Sequence, residues 1–166
     1  MRSWTGIAVF TVALLATFAS SARAGDGLTG KMAMYDYLLA GPWSCATKVP
    51  AMQGKPAHTD QSAVRFEVVP GNVLHAHATA SDYAGDDYYA FDSKSSTYWD
   101  GNLGSDGSHG YASSADGNTY TGQTWSGKTP SKITTTYTKV SPTSVKVHVA
   151  TTMSGHAVTY ESVCTR

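Results

Sequence analysis

The chain has 166 residues, with 12 Lys and Arg against 12 Asp and Glu, and only 14% of its residues are charged. This balance gives no electrostatic reason to bind DNA or RNA, so a nucleic-acid partner is not expected. The length fits one domain with one core.

The first 24 residues have the pattern of a secretory signal peptide. A cationic start precedes an apolar run over residues 7–18, and small residues at 22–24 fit a cleavage site. The run is too short to span a membrane and no second one follows, so no membrane span is expected. Removal of Arg2 and Arg23 with this leader leaves 10 basic against 12 acidic residues. We therefore predict an exported protein, periplasmic or secreted, whose residues 25–166 form a single domain.

The composition after residue 24 favours strands over helices. All ten Tyr and three of the four Trp lie there, whereas Leu and Ile are scarce. Tyr, Trp, Val and Thr suit a half-buried pleated surface, and each aromatic ring buries a large area while its polar tip stays hydrogen-bonded. The composition therefore predicts an all-β domain.

One short N-terminal helix is predicted over residues 30–40, before the strands begin. Met32, Tyr35 and Leu39 recur at helical spacing, and the Gly41-Pro42 pair ends the pattern. Ten alternating runs follow, separated by turn residues about every ten positions. They cover residues 43–49, 62–69, 73–80, 87–92, 97–103, 108–114, 118–125, 132–140, 144–152 and 156–166, with a long loop only before the second. An open meander of this length exposes two edges, so we predict an antiparallel barrel of roughly eight to ten strands.

Two cysteines lie near the two ends of this sheet, Cys45 on the first predicted strand and Cys164 on the last. Because exported proteins meet oxidising surroundings, we expect them to form a disulfide. The first and last strands of an even-numbered meander run antiparallel, so this pairing places Trp43 opposite Arg166. The guanidinium would then gain a cation–π contact with the indole and plug one end of the barrel.

Gly41-Pro42-Trp43 resembles the Gly-x-Trp signature of the lipocalins and the wider calycin superfamily. In those barrels a basic residue of the last strand packs over the Trp, and the resemblance gives that role to Arg166. The likeness extends to a group of small secreted bacterial lipocalin-like proteins of uncharacterised function. It is carried by Gly41-Pro42-Trp43-Ser44-Cys45, Asp116-Gly117-Asn118-Thr119-Tyr120 and Thr136-Tyr137-Thr138-Lys139-Val140-Ser141-Pro142-Thr143.

Motifs for catalysis are not visible in the sequence. It contains no Gly-x-Ser-x-Gly elbow, no His-Glu-x-x-His and no Walker sequence. Glu67 and Glu161 are the only glutamates, and both alternate with apolar neighbours as outward-facing strand residues do. We therefore expect a binding protein rather than an enzyme.

His75 and His77 share one face of a predicted strand and could in principle be a pair of metal ligands. We favour an outward orientation for both, because Leu74, Ala76 and Ala78 would then face the core.

His156 is a second residue that could coordinate a metal or haem iron. It shares a strand face with Val158 and Tyr160, and it is predicted to line the mouth of the barrel at the end away from Trp43. The nitrobindins, haem-binding barrels of the same superfamily, carry their axial histidine on a late strand. The resemblance therefore implies a haem- or metal-binding barrel at His156 as an alternative. Our main expectation is that the protein has no cofactor.

Several aspartates cluster in the middle of the chain. Asp100-Gly101-Asn102 and Asp106-Gly107-Ser108 have calcium-loop composition, but they do not follow EF-hand spacing. We interpret both segments as turns.

A barrel of eight to ten strands has room for one small ligand unless large side chains fill it. Ala76 and Ala78 are too small to reach the axis, and inward tyrosines supply convergent hydroxyls. We therefore predict an interior site for a small apolar or aromatic molecule, the alternative being a filled barrel that acts as a structural or interaction module. The residues predicted to contact the ligand are Phe66, Leu74, Ala76, Ala78, Tyr89, Phe91, Tyr137 and Tyr160.

Overall fold

The computed structural model describes residues 27–51, 55–153 and 155–166. The predicted signal peptide, residues 1–24, lies outside the described residues. A 3₁₀ helix over Gly30–Ala40 precedes ten strands. They are β1 (Trp43–Val49), β2 (His58–Val69), β3 (Val73–Thr79), β4 (Ala84–Asp92), β5 (Thr97–Gly104), β6 (His109–Ser114), β7 (Thr119–Trp125), β8 (Pro130–Ser141), β9 (Ser144–Met153) and β10 (His156–Thr165). Within the described segments, no helix is both long and apolar enough to cross a bilayer.

The strands form a closed barrel in which each strand pairs antiparallel with the next, and β10 pairs with β1. The predicted all-β class and barrel closure are confirmed. Cys45 lies opposite Cys164 in the closing pair, and the two form a disulfide. The predicted bridge is therefore confirmed, and a disulfide accords with an oxidising environment.

Three strands begin earlier than the sequence predicts, β2 at His58, β4 at Ala84 and β8 at Pro130. The early part of β2 is polar, but it pairs with the second half of β1, where Val49 lies opposite His58 and Thr47 opposite Asp60. Backbone groups of β1 need partners along its whole length. Backbone pairing therefore extends β2 where the side-chain pattern gives no strand signal.

The segment Asp100-Gly101-Asn102 is part of β5, which agrees with the strand predicted over residues 97–103 and shows that the interpretation of this segment as a turn is wrong. Asp100 lies opposite Tyr89 of β4 on one side and Ala112 of β6 on the other. With a paired strand on each side, the backbone of these residues is committed to the sheet, which overrides their turn-like composition.

The helix covers one end of the barrel with a face that repeats every three residues. Met32 and Tyr35 are buried, and Leu38 packs against the same cluster. A 3₁₀ helix has three residues per turn, so these side chains lie above one another. The helix was predicted from the sequence. The spacing of three residues between its apolar side chains explains why it adopts the tighter 3₁₀ form. We call this the helix end of the barrel.

Trp43 and Arg166 complete the helix end. Trp43 is buried and its Nε1 donates a hydrogen bond to the Leu38 carbonyl at 2.9 Å. The guanidinium carbon of Arg166 lies 5.8 Å from the centre of the indole ring, which confirms the predicted contact. Arg166 also donates from Nη1 to the Ala40 carbonyl at 3.0 Å, so it joins the last strand to the end of the helix.

Inward side chains become more exposed with distance from the helix end. On β3, Leu74 and Ala76 are buried while Ala78 is partly exposed, and on β9 Val145 is buried while Val147 is partly exposed. The inward side chains are therefore more accessible to solvent towards the end opposite the helix, which we call the open end.

Candidate functional site

The barrel encloses a cavity of about 310 Å³. Of the eight predicted ligand contacts, six line it: Phe66, Leu74, Ala76, Ala78, Tyr89 and Tyr137. They come from β2, β3, β4 and β8, whose alternation turns every second side chain inward. Ala76 and Ala78 leave space next to their strand because their side chains end at Cβ. The predicted interior space is present in the structure.

The other two predicted contacts, Phe91 and Tyr160, are not among the cavity-lining residues. The ring of Phe91 packs against Tyr98, with centroids 4.8 Å apart, and belongs to the core at the helix end. Tyr160 is partly buried on β10. Strand parity predicts which side chains point inward, but it does not predict which of them border the empty space.

A cluster of four tyrosines lies beside the cavity. The Tyr89 and Tyr137 hydroxyls are 2.8 Å apart, and those of Tyr35 and Tyr120 are 2.6 Å apart. Tyr35 also donates to the Gly117 carbonyl at 2.6 Å. Since a hydroxyl carries one proton, Tyr120 must be the donor in its bond with Tyr35. Burial raises the pKa of all four phenols, so they remain neutral hydrogen-bonding groups at physiological pH.

The rings of this cluster meet edge to face. The centroid of Tyr89 lies 5.9 Å from that of Tyr120 and 6.1 Å from that of Tyr137, with interplanar angles of 74° and 82°. This arrangement is favourable for aromatic pairs and fixes the position of each hydroxyl. The cavity is therefore bordered by aromatic rings that carry neutral hydroxyls.

Two aspartates inside the barrel were missed at the level of sequence. Asp87 on β4 lines the cavity. Asp100 on β5 is only 7% exposed. The sequence did contain a signal for their inward orientation. Asp87 lies two residues before Tyr89 and Asp100 two residues after Tyr98, so each shares a strand face with an inward tyrosine. Both lie in predicted strands, but their charge argued against assigning them to the interior.

Burial makes both carboxyl groups hard to ionise. It raises the pKa of Asp87 to about 6, with a further increase from the neighbouring charge of Asp86, while His75 acts in the opposite direction. It raises the pKa of Asp100 to about 8, and the charge of Asp87 adds to this effect. The two carboxyls thus interact, and each is easier to protonate than an exposed aspartate.

Asp100 also has an incomplete hydrogen-bond set. Its Oδ1 is buried and accepts no hydrogen bond from any side chain or backbone group in the described parts of the chain. A buried acceptor without a donor is unfavourable. Asp100 therefore adds an unsatisfied polar group to the interior of the barrel.

His75 and His77 lie on the outer face of β3, as predicted. His75 makes hydrogen bonds to Glu67 at 2.9 Å and to Asp86 at 2.7 Å, and His77 makes one to Asp86 at 2.8 Å. The ring of His75 also stacks on Tyr88, with centroids 4.6 Å apart. Burial lowers the pKa of His75, but the bonds to Glu67 and Asp86 outweigh it, so that the pKa is raised overall. These histidines form an outer ion network.

Metal-binding geometry is not found among residues 27–51, 55–153 and 155–166, where no three His, Cys, Asp or Glu side chains form a group suited to an ion. His156, the candidate haem or metal ligand, is exposed at the first position of β10 and is not a cavity-lining residue.

Comparison with protein-family models and with characterised proteins finds no match to this chain.

Proposed function

We propose that this protein is an exported, lipocalin-like barrel that binds a small apolar or aromatic molecule in its interior and does not act as an enzyme. The observation that carries the proposal is the cavity of about 310 Å³. Small-molecule sites begin at roughly 300 Å³ and are mainly apolar, with a few polar groups that orient the ligand.

The shape of the barrel supports a carrier role. The helix, Trp43 and Arg166 cover one end, while the inward side chains towards the other end are partly exposed. A ligand can therefore enter at the open end and come to rest against Leu74 and Tyr89. The Gly-x-Trp segment and the basic residue over its Trp support the lipocalin-like assignment.

Export is supported by two independent features, the leader pattern of residues 1–24 and the disulfide between Cys45 and Cys164. We infer that the ligand is met in the periplasm or outside the cell.

The test begins with the exported protein purified from its own compartment. Native mass spectrometry should reveal an added mass that disappears on denaturation. Titration calorimetry with 2-phenylethanol, a neutral aromatic probe, should give saturable binding at one site per chain.

A matched pair of variants locates the site. Ala78→Phe fills the cavity and should abolish binding of 2-phenylethanol, whereas Ala157→Phe places the same ring on the exposed outer face of β10 and should leave binding unchanged. Melting curves confirm that both variants fold. Absence of probe binding by the parent protein, or unchanged binding by Ala78→Phe, would overturn the proposal.

A further inference from the structure

Two carboxyl groups stand inside a barrel whose cavity is lined mainly by apolar side chains. Asp87 lines the cavity and lies two residues before Tyr89 on the same face of β4. Asp100 lies opposite Tyr89 on the neighbouring strand; the charge of Asp87 acts on Asp100, and that of Asp100 acts on Tyr137. Asp100 is buried, whereas Asp87 is partly exposed where it lines the cavity. An unpaired carboxylate in a buried position is costly, and storage of neutral apolar molecules alone would give no compensation for it.

The missing element at these carboxyls is a positive partner or a strong donor. Oδ1 of Asp100 accepts no hydrogen bond from the described residues. The charge that acts on Asp100 is that of another carboxyl, Asp87, which makes its ionisation harder still. Buried carboxylates are normally paired with cations.

Aromatic rings surround the same space. Tyr89 and Tyr137 line the cavity, and Tyr35 and Trp43 border it towards the helix end. Ring faces attract organic cations, and the attraction grows when the cation is shielded from water. A molecule with both an apolar body and a positive end would therefore satisfy the rings and the carboxyls at once.

We propose that the interior site selects a small aromatic or aliphatic amine in its protonated form, with Asp87 as the counter-ion that touches it and Asp100 as a second negative group beside it. This inference rests on the proposed carrier function and names the class of ligand. The low-dielectric interior strengthens the attraction between the ammonium group and both carboxyls.

Other charges bear on this site and set its pH dependence. His75 and Asp86 lie on the outer faces of β3 and β4 and act on Asp87 with opposite signs. Lys139 borders the cavity at the helix end, where its Nζ lies 4.1 Å from the centre of the Tyr37 ring. The phenols of Tyr89 and Tyr137 remain neutral, so the carboxyls are the groups that gain charge as the pH rises.

The decisive experiment compares three probes of similar shape on the mature, disulfide-bonded protein: 2-phenylethylamine, 2-phenylethanol and 3-phenylpropanoate. We expect the amine to bind at least tenfold more tightly than the alcohol at pH 8, and the anion to bind most weakly. Between pH 5 and pH 8 the affinity for the amine should rise at least tenfold, while that for the alcohol should stay constant. Calorimetry in buffers of different ionisation enthalpy should also detect proton release on amine binding at pH 7.

The variants assign the effect to the two carboxyls. Asp87→Asn should reduce amine affinity at least tenfold and leave alcohol binding intact, which also shows that the variant is folded. Asp100→Asn should reduce the amine affinity less and remove most of the proton release. Glu161→Gln removes an equal charge from the exposed outer face of β10 and should change neither.

The outcomes separate the two levels of the proposal. Equal binding of amine and alcohol, unaffected by Asp87→Asn, overturns the amine inference and leaves the carrier function standing. Tighter binding of 3-phenylpropanoate also overturns it and identifies Lys139 as the anchor. Failure of all three probes to bind overturns the carrier function and the amine inference together.

Discussion

The guanidinium of Arg166 lies over the indole of Trp43, with 5.8 Å between its central carbon and the ring centre. The same guanidinium donates to the carbonyls of Ala40 at 3.0 Å and Pro142 at 3.3 Å. Arg166 therefore joins the helix, the start of β1 and the turn between β8 and β9. It is a structural link at the helix end rather than part of the cavity.

Replacement of Arg166 should measure that link. An exposed cation–π contact contributes about 0.5–1 kcal/mol and a hydrogen bond about 0.5–1.5 kcal/mol. We expect Arg166→Ala to lower the free energy of unfolding by about 1–2 kcal/mol in urea titrations, and Arg166→Lys to recover part of the loss because it keeps the charge without the planar fork. An unchanged urea midpoint for Arg166→Ala would contradict this role.

The disulfide should contribute more than any other single contact at the closing strand pair. Cys45 and Cys164 are separated by 119 positions, and cross-linking a loop of about 100 residues contributes roughly 4–5 kcal/mol in the chain-entropy model. We expect Cys45→Ser to lower the melting temperature clearly under non-reducing conditions. Reductant should lower the melting temperature of the parent protein and leave that of the variant unchanged. Equal melting temperatures without reductant would show that the bridge does not stabilise the barrel.

The buried carboxyl of Asp100 should make the protein less stable as the pH rises. Burial raises its pKa to about 8, whereas an unfolded aspartate titrates near pH 4. Between these values the folded state holds a proton that the unfolded state has released, so the free energy of unfolding falls with increasing pH and levels off above about pH 8.

Asp100→Asn removes this contribution. The melting temperature of the variant relative to the parent should therefore increase from pH 5 to pH 8.5. His75, whose pKa is raised, also adds stability that is lost as the pH rises, but it is present in both proteins and cancels in the comparison. A difference that does not vary with pH would mean that Asp100 is not the titrating group.

Removal of the Tyr35 hydroxyl should destabilise the protein more than removal of the Tyr120 hydroxyl. Tyr35→Phe leaves the buried Tyr120 hydroxyl and the Gly117 carbonyl without their partner, whereas Tyr120→Phe leaves Tyr35 still bonded to Gly117. An unsatisfied buried group costs about 1–3 kcal/mol, against about 0.5–1.5 kcal/mol for a hydrogen bond lost without that penalty. We expect Tyr35→Phe to be the more destabilising of the two in chemical denaturation. The reverse order would indicate a different direction of donation.

Most of the fold could be predicted from local patterns. Alternation of apolar and polar residues marks the strands, and the positions of Cys45 and Cys164 give the register of the closing pair. The starts of β2 and β4 could not be predicted, since backbone pairing with neighbouring strands holds polar residues such as Asp60 in the sheet.

The candidate site was predicted less completely than the fold. Parity identifies the inward direction of Leu74 and Tyr89, but the position of Phe91 against Tyr98 depends on packing at the helix end. Asp87 and Asp100 lie in predicted strands, but they were missed as interior residues because a charged side chain is not expected on the buried face; the pairing of β4 and β5 with their neighbours fixes that face.

Closure of the barrel by β1 and β10 also constrains the order of assembly. Until β10 has emerged and docked, β1 and β9 each present an unpaired row of backbone donors and acceptors, which is a template for self-association. Contacts between distant parts of a chain form slowly. This protein is therefore most prone to aggregation before β10 docks. After docking, the disulfide between Cys45 and Cys164 keeps the closing strand pair together as long as the surroundings stay oxidising.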